Sequence, residues 1–167
     1  MQTGFVELPI PTRDGQFIAG YSEKGLAELD FPKTGPARRA DRTPQRGVPT
    51  TIRRWHRATT AALKNILAGR SPGKLPPLDL SGGTEFQHKV WNALRKIAPG
   101  RTKSYGEIAR AIGKPKAVRA VGGACGANPI PVLIPCHRVL AANGKIGGFS
   151  GGLHRKRELL AREGIKF

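Results

Sequence analysis

Two helix-start signatures, Thr84-x-x-Gln87 and Ser104-x-x-Glu107, constrain this chain of 167 residues more than any other local pattern. In each, a hydroxyl can accept from the backbone N–H three residues on, while the Gln or Glu side chain reaches back. Behind the first, Phe86, Val90, Ala93, Leu94 and Ile97 form one apolar stripe that lasts until Pro99-Gly100. The second opens a short helix to Ile112, closed by Gly113, and a third helix is expected from about Lys116 to Gly126. Two short helices joined by a glycine-containing turn read as a helix-turn-helix, although plain packing pairs have the same signature.

The first half reads differently. Residues 1–31 have strand character, with Gln16 to Tyr21 as β and Ser22 to Gly25 as a turn. From Leu26 to Phe31, Ala27, Leu29 and Phe31 alternate with Glu28 and Asp30, as on a half-buried strand. Residues 32–50, rich in Pro, Arg and Gly, are expected to be an exposed basic loop. A helical period then runs through Ile52, Trp55, Thr59, Ala62, Leu63 and Ile66 and stops at Gly69. Residues 70–83 read as a linker, with a short edge strand at Leu78 to Leu80. The expected class is α+β. A small N-terminal α/β domain over 1–80, a short antiparallel sheet plus a helix, precedes a helical C-terminal domain over 84–167 that contains the helix-turn-helix.

Chemistry concentrates after that boundary. Pro135-Cys136-His137-Arg138 follows an apolar run from Ile130 to Ile134. A thiolate is the reactive form of cysteine, and cationic neighbours or a helix N-terminus lower its pKa. A small core residue beside a solvated His and Arg is the plainer alternative. Ala117, Ala120, Gly122, Gly123, Ala124, Gly126 and Ala127 make the third helix almost bare, which weakens it intrinsically. Tight packing would explain that, and so would entry into a DNA minor groove only about 6 Å wide. Arg119 is the one long cation on this surface, suited to a phosphate contact or to replacing a displaced base. Asn143-Gly144 is a turn signal, and Gly147 to Gly152 form a flexible loop able to lie over a flat ligand. In the last expected helix, Leu153 to Arg162, the run Arg155-Lys156-Arg157 reads as solvated or phosphate-facing. Glu163, beyond its end, reads as surface decoration.

Charge narrows the partner. Twenty-nine Lys+Arg against 11 Asp+Glu give a net charge of +18 and a pI near 11.1. Residues 1–31 hold two basic and five acidic residues, a net −3 that leaves +21 for the rest. Such a balance points to a polyanion, bound with strong salt dependence. No secretory signal is evident, and the longest apolar runs are too short to span a bilayer. Two cysteines, Cys125 and Cys136, make no disulfide framework and fit a reducing cytosol. No Cys-x-x-Cys occurs and the four histidines are scattered, so no metal site is expected.

Together these segments resemble the O6-alkylguanine-DNA alkyltransferases, the methylated-DNA–protein-cysteine methyltransferase family. The resemblance is carried by Pro-Cys-His-Arg-Val at 135–139, Ser104-Tyr105-Gly106-Glu107, Arg119-Ala120-Val121-Gly122-Gly123, Asn128-Pro129 and Phe149-Ser150-Gly151-Gly152. It is densest over 84–167. Residues 16–31, the Trp55 helix and Leu78 to Leu80 resemble the family's more variable N-terminal domain. The resemblance implies a cytoplasmic, nucleoid-associated, monomeric repair protein without a cofactor, and leaves cooperative assembly on DNA open. It would bind double-stranded DNA through the minor groove, extrude O6-alkylguanine and move the alkyl group irreversibly to Cys136. O4-alkylthymine stands as a second candidate substrate.

The implied roles follow residue by residue. Arg119 fills the vacated stack, and Tyr105 crowds the backbone and donates a proton near N3. The Ser150 N–H meets O6, and the Cys136 and Val139 carbonyls meet the exocyclic amine. Glu163 orients His137, which reaches the sulfur through a water, since adjacent side chains do not face each other. Asn128, otherwise read as a helix C-cap, braces the turn around the site. Phe149 stands where many relatives carry tyrosine, keeping the stacking of this Gly151-containing loop but losing a hydroxyl. Residues 1–83 contain no cysteine, so the zinc of some relatives is not expected. An alkyltransferase-like lesion-binding protein lacks the cysteine present here. A transcription regulator would carry long polar side chains on its reading helix. A cysteine hydrolase usually has its histidine far away in sequence.

Overall fold

Apolar residues alternating with polar ones place two strands back to back at the start of the chain. β1 (Val6–Thr12) turns into β2 (Gly15–Tyr21), and β3 (Leu26–Asp30) completes an antiparallel sheet in the order β1-β2-β3. The computed structural model describes residues 4–33 and 47–166; residues 34–46 of the expected basic loop lie outside the described residues. Pro9 and Pro11 lack N–H donors, and β1 accommodates them by lying at the sheet edge. Leu8 and Ile10 still face inward.

The expected alternation in β3 holds, with Glu28 and Asp30 exposed between Ala27, Leu29 and Phe31, and a bulge is added at its start. Tyr21 pairs with Leu26 but Gly20 with Glu28, so Ala27 is an extra residue in a bulge. The bulge turns Leu26 and Leu29 both into the core, although their odd spacing would place them on opposite faces of a regular strand. The expected edge strand at Leu78 to Leu80 reduces to a single parallel bridge between Leu26 and Leu78. There the Leu26 N–H donates to Pro77 O and the Asp79 N–H to Leu26 O, both at 2.8 Å. Gly25 permits this approach, since a Cβ at that position would strike Pro77 O.

Helix α1 (Thr50–Leu67) covers the sheet with Ile52, Thr59, Ala62, Leu63 and Ile66, the face read from the sequence. His56 fastens it: Tyr21 Oη lies 2.8 Å from its Nδ1, and its Nε2 lies 3.2 Å from Pro9 O. Beyond the linker come α2 (Glu85–Leu94), α3 (Tyr105–Ala111), α4 (Val118–Gly126) and α5 (Leu153–Arg162). Both capping boxes are fully formed, and Gly113 closes α3 with φ near 75°. The α2 stripe needs amendment. The helix ends at Leu94, before Ile97, and Trp91 is buried where the stripe omitted it. Its Nε1 donates to Ala124 O at 2.9 Å, which fixes α4 against α2. The fold is therefore α+β, a small antiparallel sheet with its helix beside a helical array that includes the α3–α4 pair. Among the described residues no helix is long and apolar enough to cross a membrane.

Burial holds the His56 pKa below the usual imidazole value, opposed by its bond to Pro9 O. The unfolded chain therefore takes up this proton first. Full stability is present above the unfolded pKa of about 6.5 and is lost as pH falls below it. Denaturant midpoints measured from pH 7.5 to 5 should fall with pH, and His56→Gln should make that fall shallower.

Candidate active site

Cys136 opens a single 3-10 turn, Cys136–Arg138, directly after Pro135, and is only 5% exposed. The chain before it is tightly folded. Asn128 Nδ2 donates to Ile134 O at 2.8 Å, and Asn128 Oδ1 accepts from the Ile130 N–H at 2.9 Å. The loop so closed contains Val132 at φ 76°, a region that β-branched residues rarely occupy. Asn128 thus spans a strained turn from the inside. The sheet reaches this turn too, because the Leu29 N–H of β3 donates to Pro129 O at 2.9 Å.

After the 3-10 turn, β5 (Val139–Leu140) pairs in parallel with β4 (Lys103–Ser104), Val139 opposite Lys103 and Leu140 opposite Ser104. These two rungs place Tyr105, the first residue of α3, beside the cysteine. Sequence reasoning missed them, because a two-residue strand has no periodicity to detect. Tyr105 is half-buried, and its hydroxyl is raised above the usual phenol value by burial and by the nearby Cys125 and Cys136 thiols. A Cβ on Gly147 would approach Tyr105 Oη to 3.0 Å, so the glycine loop lies against the phenol.

The electrostatics of the sulfur correct the sequence reading. His137 and Arg138 turn away from it. His137 Nε2 lies 3.1 Å from Glu163 Oε1, and Arg138 grips the same carboxylate through Nε and Nη2, down to 2.7 Å. Arg138 Nη1 donates to Ile97 O, and the Gly100 N–H donates to Glu163 Oε2. Burial alone would raise the Glu163 carboxyl, but its bonds from His137 and Arg138 hold it down at about 2. Glu163 is thus a buried hub rather than surface decoration, with a side chain 1% exposed. Burial lowers the His137 pKa more than Glu163 raises it, so the imidazole is neutral at pH 7. Its Nε2–H faces the carboxylate, and the lone pair on Nδ1 has no partner within the described chain.

The cation that does face the sulfur is Lys156, which the sequence placed among solvated charges. It is fully buried, and its Nζ donates to Val139 O at 2.7 Å and Gly148 O at 3.0 Å. Burial pushes it down to about 8, which leaves it protonated at neutral pH. Its neighbours in the expected basic cluster divide: Arg155 donates to Pro32 O, whereas Arg157 is exposed. Burial raises the Cys136 thiol, opposed by the Asn128 amide, the Lys156 ammonium and the residue's own backbone N–H. A buried thiol needs such neighbours to ionise at all.

The remaining candidates are on the rim. Val139 is buried, and its carbonyl, already bonded to Lys156, has a second lone pair. The Cys136 carbonyl accepts from the Val139 N–H. Phe149 is half-buried, Ser150 is exposed, and Gly151 leaves no room for a Cβ between Phe31 and Phe149. Cys125 is buried on the inner face of α4, its thiol pushed up to about 12 by burial. The outer face of α4 carries Val118, Arg119, Ala120 and Gly123, all exposed. Among the described residues a Cβ on Gly122, Gly123 or Gly126 would meet nothing within 4 Å, so packing against those residues does not require these glycines. Among the described residues no group of three His, Cys, Asp or Glu side chains could hold a metal.

Residues 85–165 match the family model of the 6-O-methylguanine DNA methyltransferase, DNA-binding domain. A methylated-DNA–protein-cysteine methyltransferase of Methanosarcina acetivorans is 41% identical over 153 residues, spanning 90% of this chain and 92% of that protein. A protein of the same name from Mycolicibacterium paratuberculosis is 59% identical over 86 residues, a match that covers about half (52%) of each chain. The crystal structure of Mycobacterium tuberculosis OGT in complex with DNA superposes with a TM-score of 0.76 at 39% identity, covering 94% of this chain and 91% of that one.

Replacing Lys156 with methionine removes the ammonium that favours the thiolate. Alkylation of Cys136 by iodoacetamide at pH 7 should slow by about tenfold, the rate equivalent of roughly 1.4 kcal/mol of lost thiolate stabilisation. Mass spectrometry of the Cys136 peptide against time measures it.

Proposed function

The chain belongs to the methylated-DNA–protein-cysteine methyltransferase family, and on that premise we propose that it repairs O6-alkylguanine in double-stranded DNA by taking the alkyl group onto Cys136. The observation that carries the proposal is the set of groups around one sulfur. A buried thiol has a cation and an amide beside it, and the next residue is a histidine held neutral with a free Nδ1 lone pair. A hydrolase would have to expel its acyl group from the sulfur again, whereas a thioether is a poor leaving group and stays.

The chemistry balances without a cofactor. Cys136 gives up its thiol proton, through a bridging water, to the basic Nδ1 of His137, whose opposite N–H the Glu163 carboxylate orients. The Lys156 ammonium and the Asn128 amide stabilise the thiolate that forms. The sulfur attacks the alkyl carbon, an S–C bond forms, and the C–O6 bond breaks with its electron pair left on the purine. Tyr105 protonates the leaving purine at N3 and recovers a proton from the imidazolium, so the thiol proton ends on guanine. The Ser150 N–H, the Val139 and Cys136 carbonyls and the Phe149 ring orient the base, with Gly151 keeping the loop thin. One alkyl group consumes one protein molecule.

A base inside a duplex cannot reach a residue as enclosed as Cys136, so the nucleotide has to leave the stack, at a cost of a few kcal/mol. The bare outer face of α4 fits close approach to the minor groove, and Arg119 extends from it with no bond to the rest of the described chain. Arg119 occupies the vacated stack, while Tyr105 at the start of α3 presses on the backbone. The excess of basic residues supplies the non-specific phosphate attraction. O4-alkylthymine presents the same alkyl–oxygen bond and belongs to the proposed range. The proposed setting is the cytoplasm, at the nucleoid, with the protein acting as a monomer.

Incubation with a duplex carrying one O6-methylguanine should add 14 Da to the Cys136 peptide, the mass of one CH2, at one equivalent and never more. Turnover, or binding without an adduct, contradicts the proposal. Arg119→Ala should slow repair of that duplex by on the order of a hundredfold, about 3 kcal/mol at 1.4 kcal/mol per decade. Alkylation by the free alkylguanine base should stay nearly unchanged. Equal losses on both substrates would remove the stack-filling role.

A further inference from the structure

Phe31, the residue that follows β3, lies in the first half of the chain yet reaches the loop over the candidate base pocket. Its ring meets Phe149 edge-on, with centroids 5.5 Å apart and planes at 74°. On its other sides Phe17 lies 5.6 Å away, and the Arg155 guanidinium carbon sits 5.1 Å from the Phe31 centroid. Arg155 also donates to Pro32 O at 2.7 Å, which ties α5 to the backbone beside this ring. Phe31 is therefore placed by its own surroundings.

Phe149 is not. It stands in a loop whose residues 147, 148, 151 and 152 are all glycine, and Gly147 and Gly152 adopt φ of 69° and 94°. Such a loop has little stiffness of its own, so the Phe149 ring takes its position from what it touches. Gly151 lets it do so, because a Cβ there would fall 2.7 Å from Phe31 and 2.9 Å from Phe149. Phe31 in turn lines a cavity of about 230 Å³ together with Phe17, Arg155, Asp14 and Arg162. A ring backed by open volume can retreat, whereas one backed by a close-packed core cannot.

We propose that Phe31 is a positioning residue that sets, through its edge contact with Phe149, how large an alkyl group the site accepts. The inference rests on the alkyl-acceptor reading above, in which Phe149 faces the extruded base. Phe31 touches neither base nor sulfur. Its contact decides how far the Phe149 ring stands from the pocket axis, and the cavity behind it supplies the travel that a bulky adduct needs. Size selectivity is then shared between the glycine loop and the sheet.

The test uses the full-length protein and two duplexes, one with O6-methylguanine and one with O6-benzylguanine. Single-turnover rates of Cys136 alkylation give a benzyl-to-methyl ratio for each variant. Phe31→Leu should raise that ratio about fivefold, which corresponds to ~1 kcal/mol and to the loss of one aromatic pair. Phe31→Tyr, which keeps the ring, should leave the ratio at the wild-type value. Arg155→Met, which frees Phe31 without removing it, should raise the ratio about twofold and serves if Phe31→Leu does not fold. Leu8→Ala, in the same sheet core, should lower thermal stability and leave the ratio alone. A ratio unchanged in both Phe31→Leu and Arg155→Met, or shifted equally by Leu8→Ala, overturns the inference. Absence of any methyl transfer by the wild-type protein would instead overturn the alkyl-acceptor reading, and the inference with it.

Discussion

Everything around the sulfur depends on one carboxylate. Glu163 sits just past the end of α5, yet it accepts from His137, from Arg138 and from the Gly100 N–H. One ionic partner, a neutral imidazole N–H and a backbone donor satisfy it in a place where an unpaired charge would cost several kcal/mol. The hub joins three segments far apart in sequence: the turn after α2, the 3-10 turn of Cys136, and the C-terminal helix. The next residue back, Arg162, grips Asp14 through both terminal guanidinium nitrogens, Nη1 and Nη2, and reaches Leu67 O, so the helix end is also held to the sheet side. Gly69 allows that closeness, since a Cβ there would strike Arg162 O.

A consequence is a division of labour between neighbouring residues. Pro-Cys-His-Arg reads as a cysteine surrounded by cations, but the 3-10 turn sends successive side chains in different directions. Arg138 is consumed in holding Glu163, and Glu163 in turn holds His137 in the tautomer that leaves Nδ1 basic. The positive charge near the sulfur comes from Lys156 instead, a residue of α5 brought under the loop by its two carbonyl acceptors.

The parts of the fold legible in the sequence are those with local chemistry. Both capping boxes, the α1 face and the glycine that ends α3 follow from side chains interacting with their own backbone within a turn or two. The family motifs identified Cys136, His137, Glu163, Tyr105 and Asn128 as candidates, and the structure brings them into one site. What stayed hidden is non-local. Arg155, Lys156 and Arg157 are alike in composition, and only tertiary packing sends one to a backbone oxygen beside Phe31, one into the core and one to solvent. The β3 bulge, the two-rung β4–β5 pair and the Trp91–Ala124 bond leave no periodic trace. Phe31 looked like the last apolar residue of a strand, and its contact with Phe149 spans most of the chain.

The glycines of α4 have a cost that falls elsewhere in the molecule. Gly122 and Gly123 each weaken the helix interior by about 1 kcal/mol relative to alanine, and among the described residues nothing packs where a Cβ on Gly122, Gly123 or Gly126 would stand. A surface kept this smooth cannot hold its own shape, so rigidity has to come from its reverse side, where Val121, Ala124 and Cys125 are inserted and the Trp91 indole grips a carbonyl. The exposed face of α4 is in effect a thin plate bolted on from behind, and its flatness is a property of the bolts.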